Sequence, residues 1–140
     1  GNVKIIVGLL RCYLQLKEYD QANEIISSVD DQTLANEDIV KIKKLLDGIE
    51  NDDGSNIDDL KIKLRENPDD KQTRYELAES YLSANKIDAG FNELLYIFND
   101  DPKWNEEISK KKLLEYFDLL GISDPNVIKA RKKLSALMFK

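Results

Sequence analysis

The sequence predicts an all-α fold, an array of antiparallel helical hairpins with about eight helices and an irregular middle pair. Three observations predict it. Apolar residues recur at three- and four-residue spacing along the whole 140-residue chain, the mark of amphipathic helices, and no segment alternates with period two as a half-buried strand would. The residues of one hairpin return 68 positions later: Leu9-Leu10 with Tyr13-Leu14 as Leu77-Ala78 with Tyr81-Leu82, and Ala22 and Ile26 as Gly90 and Leu94. Pro68 and Pro102 lie 34 apart, half that interval.

The elements follow in order. Residues 2–16 form a first helix through Ile6, Leu9, Leu10, Tyr13 and Leu14. A polar turn leads to a second at about 19–29, where Ala22, Ile25, Ile26 and Val29 face inward; Ala22 is small where two helices pack closely. Residues 30–36 are polar and read as a loop. A third helix covers about 37–49 on Ile39, Ile42, Leu45, Leu46 and Ile49. The strongest break is Glu-Asn-Asp-Asp-Gly-Ser-Asn at 50–56. Ser55 is placed to cap a fourth helix over 56–66, with Asp58 at its capping-box position, a narrow face of Ile57, Leu60 and Leu64, and Pro68 beyond its end. Asp69 is expected to cap the fifth helix, which runs through Tyr75, Leu77, Ala78, Tyr81 and Leu82 to Ala84, with Asn85 as a left-handed terminator. The sixth runs over 87–99 with Phe91, Leu94, Leu95 and Phe98. The seventh, 104–120, has Trp104, Ile108, Leu113, Leu114, Phe117 and Leu120 as core and Gly121 as its stop. Ser123-Asp124-Pro125 reads as a cap with proline at the first helical position. The eighth helix then carries Val127, Ala130, Leu134, Leu137 and Met138 on one face. We expect a single domain over 1–140 with a weak internal break at 50–56, dividing 2–50 from 56–140.

Composition narrows the function classes. A chain of this length can bury roughly 68–70% of its unfolded surface and needs no staple. Net charge is −6, with no nucleic-acid-binding motif and no overall basic character. The charge is uneven: residues 1–70 carry net −7, residues 71–140 net +1, and 103–140 net +4. The one cysteine, Cys12, excludes an internal disulfide. No apolar run approaches the ~20 residues needed to span a membrane. The start, Gly-Asn-Val-Lys, is no signal peptide and reads straight into a helix without an initiator Met, so we expect a truncated chain with Gly1 added in cloning. The chain has no histidine, hence no triad, no histidine general base and no histidine metal site. No glycine-rich phosphate loop occurs, and Asp52-Asp53-Gly54 lacks the ligand spacing of a calcium loop. We expect no catalytic residue, no metal and no cofactor.

A period of 34 is that of the tetratricopeptide repeat, a helical hairpin that stacks on its neighbours and binds other proteins. Residues 3–36 and 71–104 satisfy its pattern. The intervening 37–70 keeps Pro68 but places Lys43, Lys44 and Asp47 where apolar or small residues belong. The second half resembles something more particular. Asn67-Pro68-Asp69-Asp70, Leu77-Ala78 and Leu94-Leu95 lead into Asp101-Pro102-Lys103-Trp104-Asn105. Lys110, Leu113-Leu114, Phe117, Leu120-Gly121, Asp124-Pro125, Val127, Arg131, Leu134 and Leu137-Met138-Phe139 follow. This ordered run resembles the C-terminal repeat domain of the bacterial thioredoxin-fused co-chaperones, the chaperedoxin family, strongly over 56–139 and more weakly over 2–50. The family usually has Ala-Arg where this chain has Ser109-Lys110. The thioredoxin domain that precedes the region in that family is absent from this sequence, which has no Cys-x-x-Cys. The resemblance implies a cytoplasmic, stress-response holdase that binds unfolded or oxidised clients and passes them to a chaperonin or another ATP-driven chaperone, with its own N-terminal thioredoxin domain as a further partner. The runner-up is a generic tetratricopeptide scaffold with no chaperone duty.

Candidate protein-binding residues fall in two groups. Val7, Leu14, Tyr75 and Leu82 occupy positions that line the concave side of such repeats and would form an apolar groove; the alternative is burial by neighbouring helices. Val7 and Arg11 stand where a carboxylate clamp needs Lys and Asn, so no clamp is expected. Lys110, in Lys110-Lys111-Lys112, and Arg131, Lys132 and Lys133 would make a basic docking end; the alternative is a solvated face, with Arg131 paired to a carboxylate. Trp104 is read as core. Cys12 shares a stripe with Ile5, Gly8 and Leu16, opposite Leu10 and Tyr13. That stripe is expected to face the missing N-terminal domain.

Overall fold

A computed structural model of the chain describes residues 3–51 and 55–139. Among them there are nine helices and no strand: α1 (Val3–Gln15), α2 (Tyr19–Ser28), α3 (Asp31–Leu34), α4 (Glu37–Asn51), α5 (Ser55–Glu66), α6 (Lys71–Ser83), α7 (Ile87–Asp100), α8 (Trp104–Leu120) and α9 (Pro125–Met138). The chain divides into two compact units, Gly1–Asn51 and Asp52–Lys140. The expected middle pair is thereby split: α4 belongs to the first unit and α5 to the second. Residues 52–54 of the expected break, and the cap expected of the Ser55 side chain, lie outside the described residues.

In the first unit, α1 packs on α2, and α4 packs on both. Val7, Leu10 and Leu14 of α1 meet Ala22 and Ile26 of α2 and Ile39, Ile42, Leu45 and Leu46 of α4 in the interior. The helix beyond the eight expected is α3, in the stretch expected to be a loop. Asp30 caps this single turn, its carboxylate accepting from the Thr33 amide at 2.8 Å. Asn36 then caps α4, its Oδ1 accepting from the Asp38 amide at 3.0 Å. Short polar residues thus convert a polar linker into two successive helix starts.

In the second unit α7 is central and packs on α6, α8 and α9. Ile87, Gly90, Phe91, Leu94, Leu95, Ile97 and Phe98 are all buried along it, and Phe91 meets Phe117 of α8 edge-on at 5.4 Å. Asp70, one residue later than expected, caps α6: its carboxylate accepts from the Thr73 amide at 3.1 Å and from the Thr73 hydroxyl at 2.6 Å. Asp124 caps α9, accepting from the amides of Asn126 at 2.8 Å and Val127 at 3.2 Å, with Pro125 behind it at the first helical position.

The 68-residue echo is visible in the backbone. α1 and α6 end in the same motif. The Lys17 amide donates to Leu14 O at 3.1 Å and the Glu18 amide to Tyr13 O at 2.9 Å; the Asn85 amide donates to Leu82 O at 3.0 Å and the Lys86 amide to Tyr81 O at 2.8 Å. This pairing is a Schellman cap, which requires a left-handed residue after the helix. Lys17 (φ 58°) and Asn85 (φ 59°) supply it.

Several expectations about packing are corrected. Leu9, Leu114 and Met138 are exposed, because each helix carries apolar residues on two sides and only one side is covered. Trp104 and Ile108 are half-buried instead of core. The ring of Trp104 lies 6.2 Å from that of Tyr75. α8 also opens with a left-handed turn, Asn105, Glu106 and Glu107 at φ 48°, 59° and 63°. Glycine normally fills such positions at least cost. Regular helix begins only at Ile108.

Candidate functional site

The site best formed by these residues lies within the second unit, between α5 and the α6–α7 hairpin. Ile57 and Leu60 of α5 pack with Leu77 of α6, and Leu64, Tyr81 and Ala84 extend the contact. The interlock fixes two helices side by side. It leaves an open cleft of about 420 Å³ toward the C-terminal end of α5, within the size range of ligand and peptide-side-chain pockets. Leu64, Leu77 and Tyr81 supply its apolar floor; Lys61, Arg65, Arg74 and Glu93 supply its charge.

Arg74 organises the cleft. Its Nη1 donates to Glu93 Oε2 on α7 at 2.8 Å, its Nη2 donates to the Pro68 carbonyl at 3.2 Å, and its guanidinium stacks 3.8 Å from the centre of the Tyr96 ring. One planar group therefore ties the α5–α6 turn, α6 and α7 together, a task lysine cannot share. Glu93 is neutralised by this pair. Lys61, whose ammonium lies 5.7 Å from the centre of the Tyr81 ring, and Arg65 are left to give the cleft its positive character. A short segment carrying an apolar side chain beside a carboxylate fits this combination.

A second cluster lies between α6 and α8. Lys112 reaches Glu79 at 3.8 Å and Glu115 at 3.6 Å. Tyr75 and Tyr116 are both pushed up to about 12, first by burial and then by the nearby carboxylates Glu79 and Glu115. Both phenols stay protonated at neutral pH, so the cluster holds helices together and offers no phenolate. Among the described residues no group of His, Cys, Asp and Glu could hold a metal ion, and no helix is long and apolar enough to cross a membrane.

The residues singled out from sequence divide between the units: Val7, Arg11 and Leu14 belong to the first, the others to the second. Val7, Leu14, Tyr75 and Leu82 are buried; they fill the interiors of their units and present no open groove. Arg11 and Lys110 are half-buried, while Arg131, Lys132 and Lys133 are exposed. Arg131 makes no ion pair with a described carboxylate. Lys112 turns toward Glu79 of α6, whereas Lys129 and Lys133 turn toward Asp88 and Asn92 of α7, each at 3.4 Å. One lysine of each basic triplet, Lys112 and Lys133, is thus engaged by a different helix, α6 and α7. The cleft residues Lys61, Arg65, Arg74, Tyr81 and Glu93 were missed. One signal was readable: Lys61 and Arg65 lie one turn apart beside the Ile57-Leu60-Leu64 stripe. The Arg74–Glu93 pair was not, since its 19-residue separation depends on the α6–α7 register.

The family model described as tetratricopeptide repeat matches residues 50–139, a span that contains α5 to α9 and the whole cleft. No curated protein and no solved structure matches the chain.

Proposed function

This chain belongs to the tetratricopeptide-repeat family, and from that premise we propose that it is the non-catalytic, protein-binding part of a cytoplasmic thioredoxin-like co-chaperone. Repeats of this type are interaction modules, which accounts for a fold that spends its residues on surfaces between helices. The observation that carries the reading is the α5–α6 cleft, where an apolar floor meets an unbalanced pair of cations, Lys61 and Arg65. An unfolded client exposes apolar side chains next to charged ones, and a partly open cleft of this chemistry takes such segments without demanding one sequence. The resemblance of 56–139 to the chaperedoxins supports the finer reading: a holdase that keeps clients soluble and hands them to a chaperonin or another ATP-driven chaperone.

The test is suppression of aggregation by the full 140-residue chain, using two unrelated thermally unfolded clients, with Lys61→Glu/Arg65→Glu as the variant. The expected result is protection by the parent chain and its loss in the variant, with helicity unchanged. Capture of a single folded partner without any protection would replace the holdase by a plain scaffold. Equal protection by parent and variant would remove the cleft from the mechanism.

A further inference from the structure

The 68-residue echo compares two copies of one helix in two settings. In the second copy, α6 is covered on both sides. Tyr75, Ala78 and Leu82 are buried in the unit, and on the opposite side Leu77, Tyr81 and Ala84 are covered by Ile57, Leu60 and Leu64 of α5. In the first copy, α1 buries the equivalent inner residues Val7, Leu10 and Leu14. Its outer side carries Leu9, Tyr13 and Leu16 at the positions of Leu77, Tyr81 and Ala84. Among the described residues of the first unit no helix covers it: Ile5 is 63% exposed, Leu9 44% and Leu16 66%. Cys12 is exposed on the same side, and a side chain added at Gly8 would meet nothing within 4 Å. A run of large apolar residues over three turns, open to water, marks a contact surface.

The charges around this side select its occupant. Residues 1–17 contain Lys4, Arg11 and Lys17 and no acidic residue, in a chain of net charge −6. Two copies of α1 laid together would bring the exposed Lys4 and Lys17 into opposition, which disfavours self-association through this face. We propose that the outer side of α1 is a docking seat for an acidic amphipathic helix of a partner protein. That helix would lie on Leu9, Tyr13 and Leu16 as α5 lies on α6, with apolar residues at the spacing of Ile57, Leu60 and Leu64 and carboxylates facing Lys4 and Lys17. The seat is separate from the α5–α6 cleft and does not depend on what the cleft binds.

Cys12 provides the readout, as the sole cysteine. The probe is a stapled helical peptide with Ile, Leu and Leu at the α5 spacing and glutamates on its flanks, compared with a copy carrying lysines on its flanks. The acidic peptide is expected to bind saturably by fluorescence anisotropy. At saturation it slows maleimide alkylation of Cys12 by about tenfold, and the lysine copy binds about tenfold more weakly at low salt. Leu9→Glu and, separately, Leu16→Glu remove binding. Both sites are exposed, so helicity by circular dichroism stays at the parent level. Lys61→Glu/Arg65→Glu leaves peptide binding unchanged. Four results overturn the seat: no saturable binding, equal affinity for the two peptides, unprotected Cys12, or loss of peptide binding in the cleft variant. A parent chain that sediments as a dimer dissociated by Leu9→Glu also overturns it, by giving the face to a second copy.

Discussion

Gly90→Ala and Gly8→Ala make the same chemical change in the middle of two helices and are expected to move stability in opposite directions. On propensity alone, each replacement favours the helix by about 0.8–1 kcal/mol, since alanine loses less backbone freedom than glycine. At Gly8 nothing stands within 4 Å of the added methyl, so that gain is realised. At Gly90 the methyl would sit 2.7 Å from Leu82 Cγ, 2.8 Å from Leu82 Cδ2 and 3.2 Å from the Ala78 carbonyl oxygen. Leu82 is 1% exposed and Ala78 fully buried, so neither has space into which to retreat, and the carbonyl belongs to the α6 backbone. Overpacking of this kind costs about 1–3 kcal/mol, and the upper part of that range applies where a branch carbon and a backbone atom are both struck. After the propensity gain, Gly90→Ala is left destabilised by about 1–2 kcal/mol. For a unit of this size that is a fall in melting temperature of about 4–8 °C per kcal/mol. Thermal and urea unfolding followed by circular dichroism measure both variants. A Gly90→Ala chain as stable as the parent would show that α6 and α7 do not approach through this glycine, and the account of the second hairpin would fail with it.

Asp124→Ala, which removes the acceptor for the Asn126 and Val127 amides, is expected to cost about 1 kcal/mol, while Asp124→Asn keeps most of the cap; equal melting temperatures for the two would refute the assignment. The hydroxyl of Ser109 is buried without a hydrogen-bond partner, so Ser109→Ala is expected to stabilise by roughly 1 kcal/mol, and an unfolding midpoint at or below the parent's would contradict this. Spectrophotometric titration should show two of the six tyrosines, Tyr75 and Tyr116, ionising near 12 and the Tyr75→Phe chain losing one of them. Because the unfolded phenols ionise at about 10, the stability these two contribute is complete below that pH and is lost as pH rises toward 12. Asp70 is held below its ordinary value of 3.8, first by the Thr73 hydroxyl and then by the Thr73 amide. Its contribution is therefore present above that value and disappears as pH falls through the lower folded one, so the stability gap between parent and Asp70→Ala should close in acid; a gap that persists there would contradict it.

What the sequence disclosed and what it withheld have a common physical cause. Helical periodicity reports that a side is apolar but not whether anything covers it. In α6 two apolar sides are both buried, so either reading of Leu77 and Leu82 leads inward. In α1 the same two sides exist, and the sequence offered Leu9 with Leu10 and Tyr13 with Leu14 as one broad stripe; only the helices actually packed on it decide that Leu10 and Leu14 are inside and Leu9 is outside. The Leu113-Leu114 doublet of α8 divides in the same way. Caps were more legible, because they act over three residues: Asp124 and Asn85 perform as expected, and Asp70 replaces Asp69 by a shift of one. The left-handed turn at 105–107 was illegible, since only Asn105 among its residues favours that conformation.

Lys17 is the instructive intermediate. Nothing in a lysine requests a positive φ, yet it stands 68 residues before Asn85 in a repeat whose hairpin turn is closed by the same two backbone hydrogen bonds. The requirement belongs to the hairpin, which needs a Schellman cap to return the second helix onto the first. The second copy meets it with the residue best suited to it, and the first meets it against side-chain preference. Internal repetition therefore carries information that local propensity lacks: where two copies share a backbone solution, the better-suited residue identifies what the other must be doing. Applied to the outer side of α1, the same comparison turns three exposed apolar residues from unexplained surface into the vacant half of a helix pair that the second copy displays complete.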